Sequence, residues 1–208
     1  MTDDIAQTRP DGDPVGFETL ILGIGNPLWA DEGFGVRAAE QLNAQYEFPP
    51  EVRVMDGGTL GLMLLPYVRS AKNLLIFDAI DFGLEPAEMK VIVGDDVPKF
   101  MGVKKMSMHQ TGFQEVLMSA EMFGQAPEKL ALVGVQPELL NDYGGSLRES
   151  VKARLPEAVD AGLAILDDWG IEYRKRDKPL EHTELTGPDA INMDEYEAGR
   201  PDTKETWR

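Results

Sequence analysis

The sequence predicts an α/β fold: a single domain built on a twisted, mostly parallel sheet with helices on both faces. Three observations carry this expectation. Short apolar runs end in glycine or aspartate, as buried strands do. Segments with helical spacing lie between those runs. The two kinds alternate along the chain, the pattern of a doubly wound sheet.

The elements follow in order. Residues 1–16 are polar and rich in Asp, Gly and Pro, and are expected to be a disordered arm. FETLILGIG, from Phe17, reads as the first buried strand. A loop, NPLWAD, leads to a helix starting near Asp31–Glu32, with acids in its first turn. Phe34, Ala38, Leu42 and Tyr46 give that helix one apolar face. EVRVMD (51–56) reads as a second strand stopped by Gly57–Gly58, and Leu60 to Val68 as a short helix. NLLIFDAI (73–80) is apolar throughout, which suits a central parallel strand. EMKVIVG (88–94) alternates, as an edge strand does. Residues 101–112 read as a loop before a helix near 113–123, and KLALVGV (129–135) as another buried strand. A long final helix is expected from Ser146, with Leu147, Val151, Leu155, Val159, Leu163 and Leu166 as its buried stripe. Residues 17–170 thus form the domain. Residues 171–208, polar and broken by Pro179, Pro188 and Pro201, read as a flexible extension with room for one short docked segment.

Composition narrows the function. The chain has 208 residues and no cysteine, which excludes disulfides, thiol nucleophiles and thiolate metal sites. Its formal net charge is −17, against a nucleic-acid partner, since phosphate binding needs a basic face. Residues 171–208 net −3, so −14 belongs to the rest and the acidity is not that of a tail. MTDDIAQTRPDGDPVG has no apolar core, and no apolar run reaches the roughly 18–20 residues of a membrane span. A cytoplasmic protein without a membrane partner is expected.

Ligands of open α/β sheets bind beyond the carboxyl ends of the strands. Asp31 and Glu32 follow the first strand, Asp56 ends the second, Asp78 lies near the end of the third, and His109 precedes the last. Gathered on one edge, these acids repel one another unless a cation joins them. Carboxylates with an imidazole suit nickel, zinc, cobalt or manganese better than calcium or magnesium. Each residue also has a plainer reading. Asp31 and Glu32 suit a helix start, Asp56 a turn, and His109 a surface position. Asp78 is harder to dismiss, because a charge inside an apolar strand needs a partner. His182, in the extension, is given no role.

Familiar motifs fail. Gly23-Ile-Gly25-Asn-Pro-Leu28 begins like a dinucleotide fingerprint but lacks the third glycine, so no nucleotide cofactor is expected. A phosphate-loop lysine motif, a G-x-S-x-G elbow and an H-E-x-x-H helix are all missing.

GIGNPLWADEGFGVRAAEQL resembles the opening signature of the hydrogenase maturation endopeptidases. VMDGGTLGLMLL, LLIFDAID, SMHQTGFQEVL and LVGVQPE are similar to that family's next four blocks, in order, across roughly residues 17 to 170. The resemblance implies a peptidase that trims the C-terminal extension of the nickel-loaded large subunit of a nickel–iron hydrogenase. It implies nickel contacts at Glu32, Asp78 and His109, with the nickel carried by the substrate precursor. Asp56 falls on the aspartate of the family's Asp-Gly-Gly-Thr block, and it or a metal-polarised water is expected to assist attack. The partner implied is the large-subunit precursor, with no small-molecule substrate. The competing readings are a nickel chaperone or assembly scaffold without peptidase activity, and a nucleotide-dependent α/β enzyme.

Overall fold

The computed structural model describes residues 16–101, 108–140 and 142–180. The chain opens with β1 (Thr19–Ile24), a 3-10 turn (Ala30–Gly33) and α1 (Phe34–Gln45). A short β2 (Tyr46–Glu47) precedes β3 (Val52–Gly58), a second 3-10 turn (Gly61–Leu64) and α2 (Leu65–Ser70). Next come β4 (Asn73–Ala79), β5 (Met89–Val93), α3 (Asp96–Met101), α4 (Met108–Met122) and β6 (Lys129–Val135). The last elements are α5 (Glu149–Lys152), α6 (Leu155–Trp169) and β7 (Arg174–Lys175).

The main sheet runs β3-β1-β4-β6-β5. β3, β1, β4 and β6 are parallel, and β5 joins β6 antiparallel as the far edge. Strand parity divides the core into two layers. Ile21, Leu75, Phe77, Ala131 and Val133 face α1, α5 and α6. Leu20, Leu22, Leu74, Ile76 and Leu132 face the other way, toward α2, α3 and α4. Both faces of β4 are buried, which is why its sequence is an unbroken apolar run.

Two glycines let α1 lie against the sheet. A Cβ on Gly35 would stand 2.1 Å from the Phe77 carbonyl oxygen and 2.3 Å from that of Ile24. A Cβ on Gly23 would stand 2.5 Å from the Gly35 carbonyl oxygen. These are backbone atoms and cannot swing aside, so only hydrogen fits there.

Several boundaries differ from the sequence reading. Tyr46 leaves the α1 stripe and begins β2, because the helix closes at Gln45. The final helix is split. Pro156 lacks the N–H that would bond to Lys152 four residues earlier, and its ring crowds that carbonyl, so α5 stops and α6 starts afresh. The expected stripe survives the break: Leu147, Val151, Leu155, Val159, Leu163 and Leu166 are all buried. Gly170 ends α6 in the left-handed conformation, with φ +72°.

Residues 171–180 dock on the body. β7 pairs antiparallel with β2, Tyr173 meets Tyr46 edge to face at 5.6 Å, and the Leu180 N–H bonds to the Ala44 carbonyl at 2.9 Å. The body therefore continues ten residues past the boundary drawn at Gly170. Residues 1–15 of the expected arm and 181–208 of the expected extension lie outside the described residues. No helix among the described residues is long and apolar enough to cross a membrane.

Gly35→Ala tests the close approach of α1. Chemical denaturation should report a loss of about 3 kcal/mol or more, at the upper end of overpacking costs, because the displaced atoms are backbone.

Candidate active site

The connections leave β1 and β4 in opposite directions. The chain leaves β1 toward β3 on one side, and leaves β4 toward β5 and β6 on the other. The carboxyl ends of these neighbours therefore open a crevice, the switch point of a doubly wound sheet. α4 runs directly into the start of β6, so its C-terminus lies at the amino edge and its N-terminus at the carboxyl edge.

The loop after β1 is built to hold Asp31 and Glu32 over this crevice. Gly25 has φ +132°, and a Cβ there would stand 1.8 Å from the Glu32 carbonyl oxygen. The Asn26 side chain accepts the Leu28 N–H at 3.0 Å, and the Asn26 carbonyl accepts the Trp29 N–H at 3.0 Å. Ala30 takes a left-handed conformation, with φ +43°, which an alanine adopts only at a cost. The 3-10 turn that follows packs on β4.

Asp31 is fully buried and its two oxygens serve the backbone. Oδ2 accepts the Glu138 and Leu139 N–H groups, each at 2.8 Å, and Oδ1 accepts that of Arg148 at 2.7 Å. The Asp31 N–H in turn bonds to the Leu139 carbonyl at 3.2 Å. Asp31 therefore drops out of the group of edge acids open to a ligand. It ties the β1–α1 loop to the 138–148 segment, which also brings Tyr143 edge to face with Trp29 at 5.3 Å.

Glu32, the next residue, is only half-buried. Partial removal from water pushes its carboxyl up to about 7. Asp78 is fully buried one residue before the end of β4. It alternates with Leu74 and Ile76 and so belongs to the α2/α4 face of the sheet. Asp78 thus lies on β4, and Glu32 lies in the turn that follows its neighbour β1. His109 is the second residue of α4 rather than part of a loop. The helix starts earlier than expected and continues through Gly112, whose lack of a side chain lets α4 approach Gly61: a Cβ would meet the Gly61 Cα at 3.5 Å. The topology sets the His109 backbone at the carboxyl edge, and its side chain lies outside the described residues. Among the described residues no group of three or more such donors forms a metal cage, and the third donor that the family resemblance implies is this histidine.

Asp56 lies on the other face. It alternates with Val52 and Val54, which pack on the α1 side. Burial raises its carboxyl above the ordinary range, opposed by the Gly58 N–H. The ion pair of Arg37 and Glu40 on α1, 2.9 Å apart and buried, acts on it from both directions: Glu40 raises it and Arg37 lowers it. Asp56 Oδ1 is buried with no hydrogen-bond partner among the described residues. The four acids therefore share an edge but not a face.

Two features were not singled out from the sequence. The Arg37–Glu40 pair stands among small apolar neighbours on α1, and only the side-chain spacing i, i+3 hints at it. Gln136 follows directly on β6. Its side-chain oxygen accepts the Phe82 and Leu84 N–H groups at 2.8 and 3.1 Å, and its amide donates to Asp81 at 3.1 Å. A polar residue closing an apolar strand was the available signal.

Fold and site together define an α/β enzyme with an acidic crevice at its switch point. The model of the hydrogenase maturation protease family matches residues 36–165. The hydrogenase expression/formation protein HoxM of Azotobacter vinelandii is 51% identical over 189 residues, which is 91% of this chain and 90% of that protein. The hydrogenase 2 maturation protease of Escherichia coli K12 is 38% identical over 159 residues, 76% of this chain and 96% of that one. Among solved structures, the hydrogenase maturating endopeptidase HybD from E. coli superposes with a TM-score of 0.73 at 37% identity, covering 77% of this chain and 98% of its own. The chain belongs to the hydrogenase maturation protease family. It is a hydrolase of the endopeptidase kind, and the fold and enzyme class expected from its five sequence blocks hold.

The Glu32 carboxyl should titrate near 7 in the metal-free chain, observable by NMR of a carbon-13-labelled side chain. Below about 4.5 the folded and unfolded chains both hold the proton and the penalty is absent; it grows as pH rises and is complete above about 7. Glu32→Gln should therefore stabilise the fold at pH 8, by about 1–2 kcal/mol once solvent screening is allowed for, and change little at pH 4.

Proposed function

We propose that this chain removes the C-terminal extension of the large-subunit precursor of a nickel–iron hydrogenase after nickel has been inserted. Glu32, Asp78 and His109 read the nickel in the substrate. The observation that carries this reading is the placement of a half-buried carboxylate, Glu32, in the turn that follows β1, and a fully buried one, Asp78, near the end of the neighbouring β4, at the same edge of the sheet. Two carboxylates and an imidazole are a donor set of the right hardness for nickel, and an acidic edge favours a positively charged feature in the precursor.

Asp56 is the residue we assign to assist attack. Water adds to the scissile carbonyl, Asp56 takes a proton from it, and the proton passes to the departing amine as the C–N bond breaks. Burial raises the proton affinity of Asp56, which brings it nearer to what a base needs close to neutrality. Its place on the opposite face from Asp78 separates two tasks, metal reading and proton transfer. We assign the reaction to the cytoplasm, with no nucleotide cofactor and neither nucleic acid nor membrane as partner. The net charge of −17 supports the exclusion of nucleic acid.

Mass spectrometry of the precursor after incubation with the chain tests this. The nickel-loaded precursor should lose a C-terminal peptide and the metal-free precursor should stay intact. Asp56→Asn should slow the loss at least about a hundredfold, at the low end of general-base contributions. Cleavage of both forms alike would remove the nickel checkpoint. An unchanged mass with binding intact would favour a chaperone or scaffold.

A further inference from the structure

The outer edge of β3 is a second feature of the site, and it ends at Asp56. β3 is a terminal strand of the main sheet. The register pairs Thr19 with Val52, and the Thr19 N–H bonds to the Glu51 carbonyl at 3.0 Å. In a parallel ladder this assigns the backbone groups of Glu51, Arg53 and Met55 to β1. The N–H groups of Val54 and Asp56 and the carbonyls of Val52, Val54 and Asp56 point outward. The Val52 N–H is used locally, on the Pro49 carbonyl at 2.9 Å. No described residue takes up the other outward groups.

The strand itself continues two residues beyond Asp56. It runs through Asp56, Gly57 and Gly58 into a turn whose apolar side chains face solvent: Leu60 is 43% exposed, Leu62 53% and Met63 71%. An open edge of this kind invites a further strand, and natural edges are normally blunted against it.

We propose that the outer edge of β3 is the docking strand for the substrate: an extended peptide segment of the precursor adds to the sheet there, its backbone bonded to Val54 and Asp56. This rests on the proposed function and specifies how the scissile segment is held. An endopeptidase must bind main chain in an open conformation, and strand addition does so whatever the side chains. The occupant is the substrate because the edge is continuous with the site. A peptide running along β3 is carried to Asp56 at its end and over Leu60, Leu62 and Met63 just beyond. Backbone bonds then set the register of the scissile bond against Asp56.

The opposite edge supplies a matched control. Just past β5 the Gly94 N–H bonds to the Leu130 carbonyl at 2.6 Å, so the neighbouring Val93 N–H points away from β6. Val54→Pro and Val93→Pro each delete one outward donor, at the kind of edge position where proline is tolerated. Cleavage of nickel-loaded precursor by Val54→Pro should fall at least about tenfold in kcat/KM, while Val93→Pro matches the unaltered chain. Equal rates for a folded Val54→Pro and the unaltered chain would overturn the proposal.

A second measurement avoids any variant. Pulsed hydrogen exchange of the unaltered chain, mixed in the cold with nickel-loaded precursor before cleavage, should show the Val54 and Asp56 amides slowed relative to the free chain. Exchange unchanged in the bound complex would overturn the proposal. So would protection already present without precursor, since the edge would then be held by another part of the chain or a second copy. If the unaltered chain leaves the precursor uncut, the proposed function fails, and the exchange of these two amides still decides the use of the edge.

Discussion

The carboxyl edge is organised around one buried carboxylate. Asp31 accepts three backbone N–H groups from a segment more than a hundred residues away, and its own N–H returns a bond to that segment. Hydrogen bonds to a charged acceptor are worth about 1.5–3 kcal/mol each, and leaving the buried donors without a partner costs a comparable amount. The anchor also explains why an alanine is held in the left-handed conformation immediately before it: Ala30 must turn the chain so that Asp31 enters the interior while Glu32 stays at the surface. Two neighbouring acids thereby take different tasks. One is consumed by the fold and the other stays half-buried beside it.

The glycines beside this anchor act in the same direction. Gly23 and Gly35 bring α1 into backbone contact with β1 and β4, so the loop between β1 and α1 has little freedom in height above the sheet. A metal or a metal-bearing substrate demands donors fixed to a fraction of an ångström. Rigid backbone contact is a direct way to meet that demand without disulfides, which a chain lacking cysteine cannot form. Asp56 is placed by other means. It shares the edge through β3, where burial raises its carboxyl and the Gly58 N–H opposes that rise, with Glu40 and Arg37 on α1 as smaller opposing influences.

Much of this was legible in the sequence, and the exceptions have physical causes. The four parallel strands and the edge position of β5 followed from apolar runs and alternation, whereas the antiparallel direction of β5 did not. α3 did not, because Asp96–Met101 is short and contains Pro98. β2 and β7 did not, because each is two residues long and its partner lies at the other end of the domain. For the site, the strand positions of Asp56 and Asp78 were readable, and so was their alternation with Val54 and Ile76. Which face each parity meets depends on where the crossovers run, and that is a property of the whole sheet. Asp31 and Glu32 were indistinguishable in sequence, since their roles diverge only when the 138–148 segment arrives. The placement of His109 in a loop failed because the polar stretch before Phe113 carries no helical stripe, yet its backbone is wound into α4.

The clasp between β2 and β7 has a consequence for folding. Tyr46 and Glu47 pair with Lys175 and Arg174 across nearly the whole length of the domain. The Arg176 N–H bonds to the Gln45 carbonyl and the Leu180 N–H to that of Ala44, and because these contacts close so long a loop they form late in folding. The clasp sits where α1 ends, at the amino edge of the sheet, one full strand length from the crevice. The part of the domain that is tied down last in folding therefore lies at the end of the sheet away from the crevice.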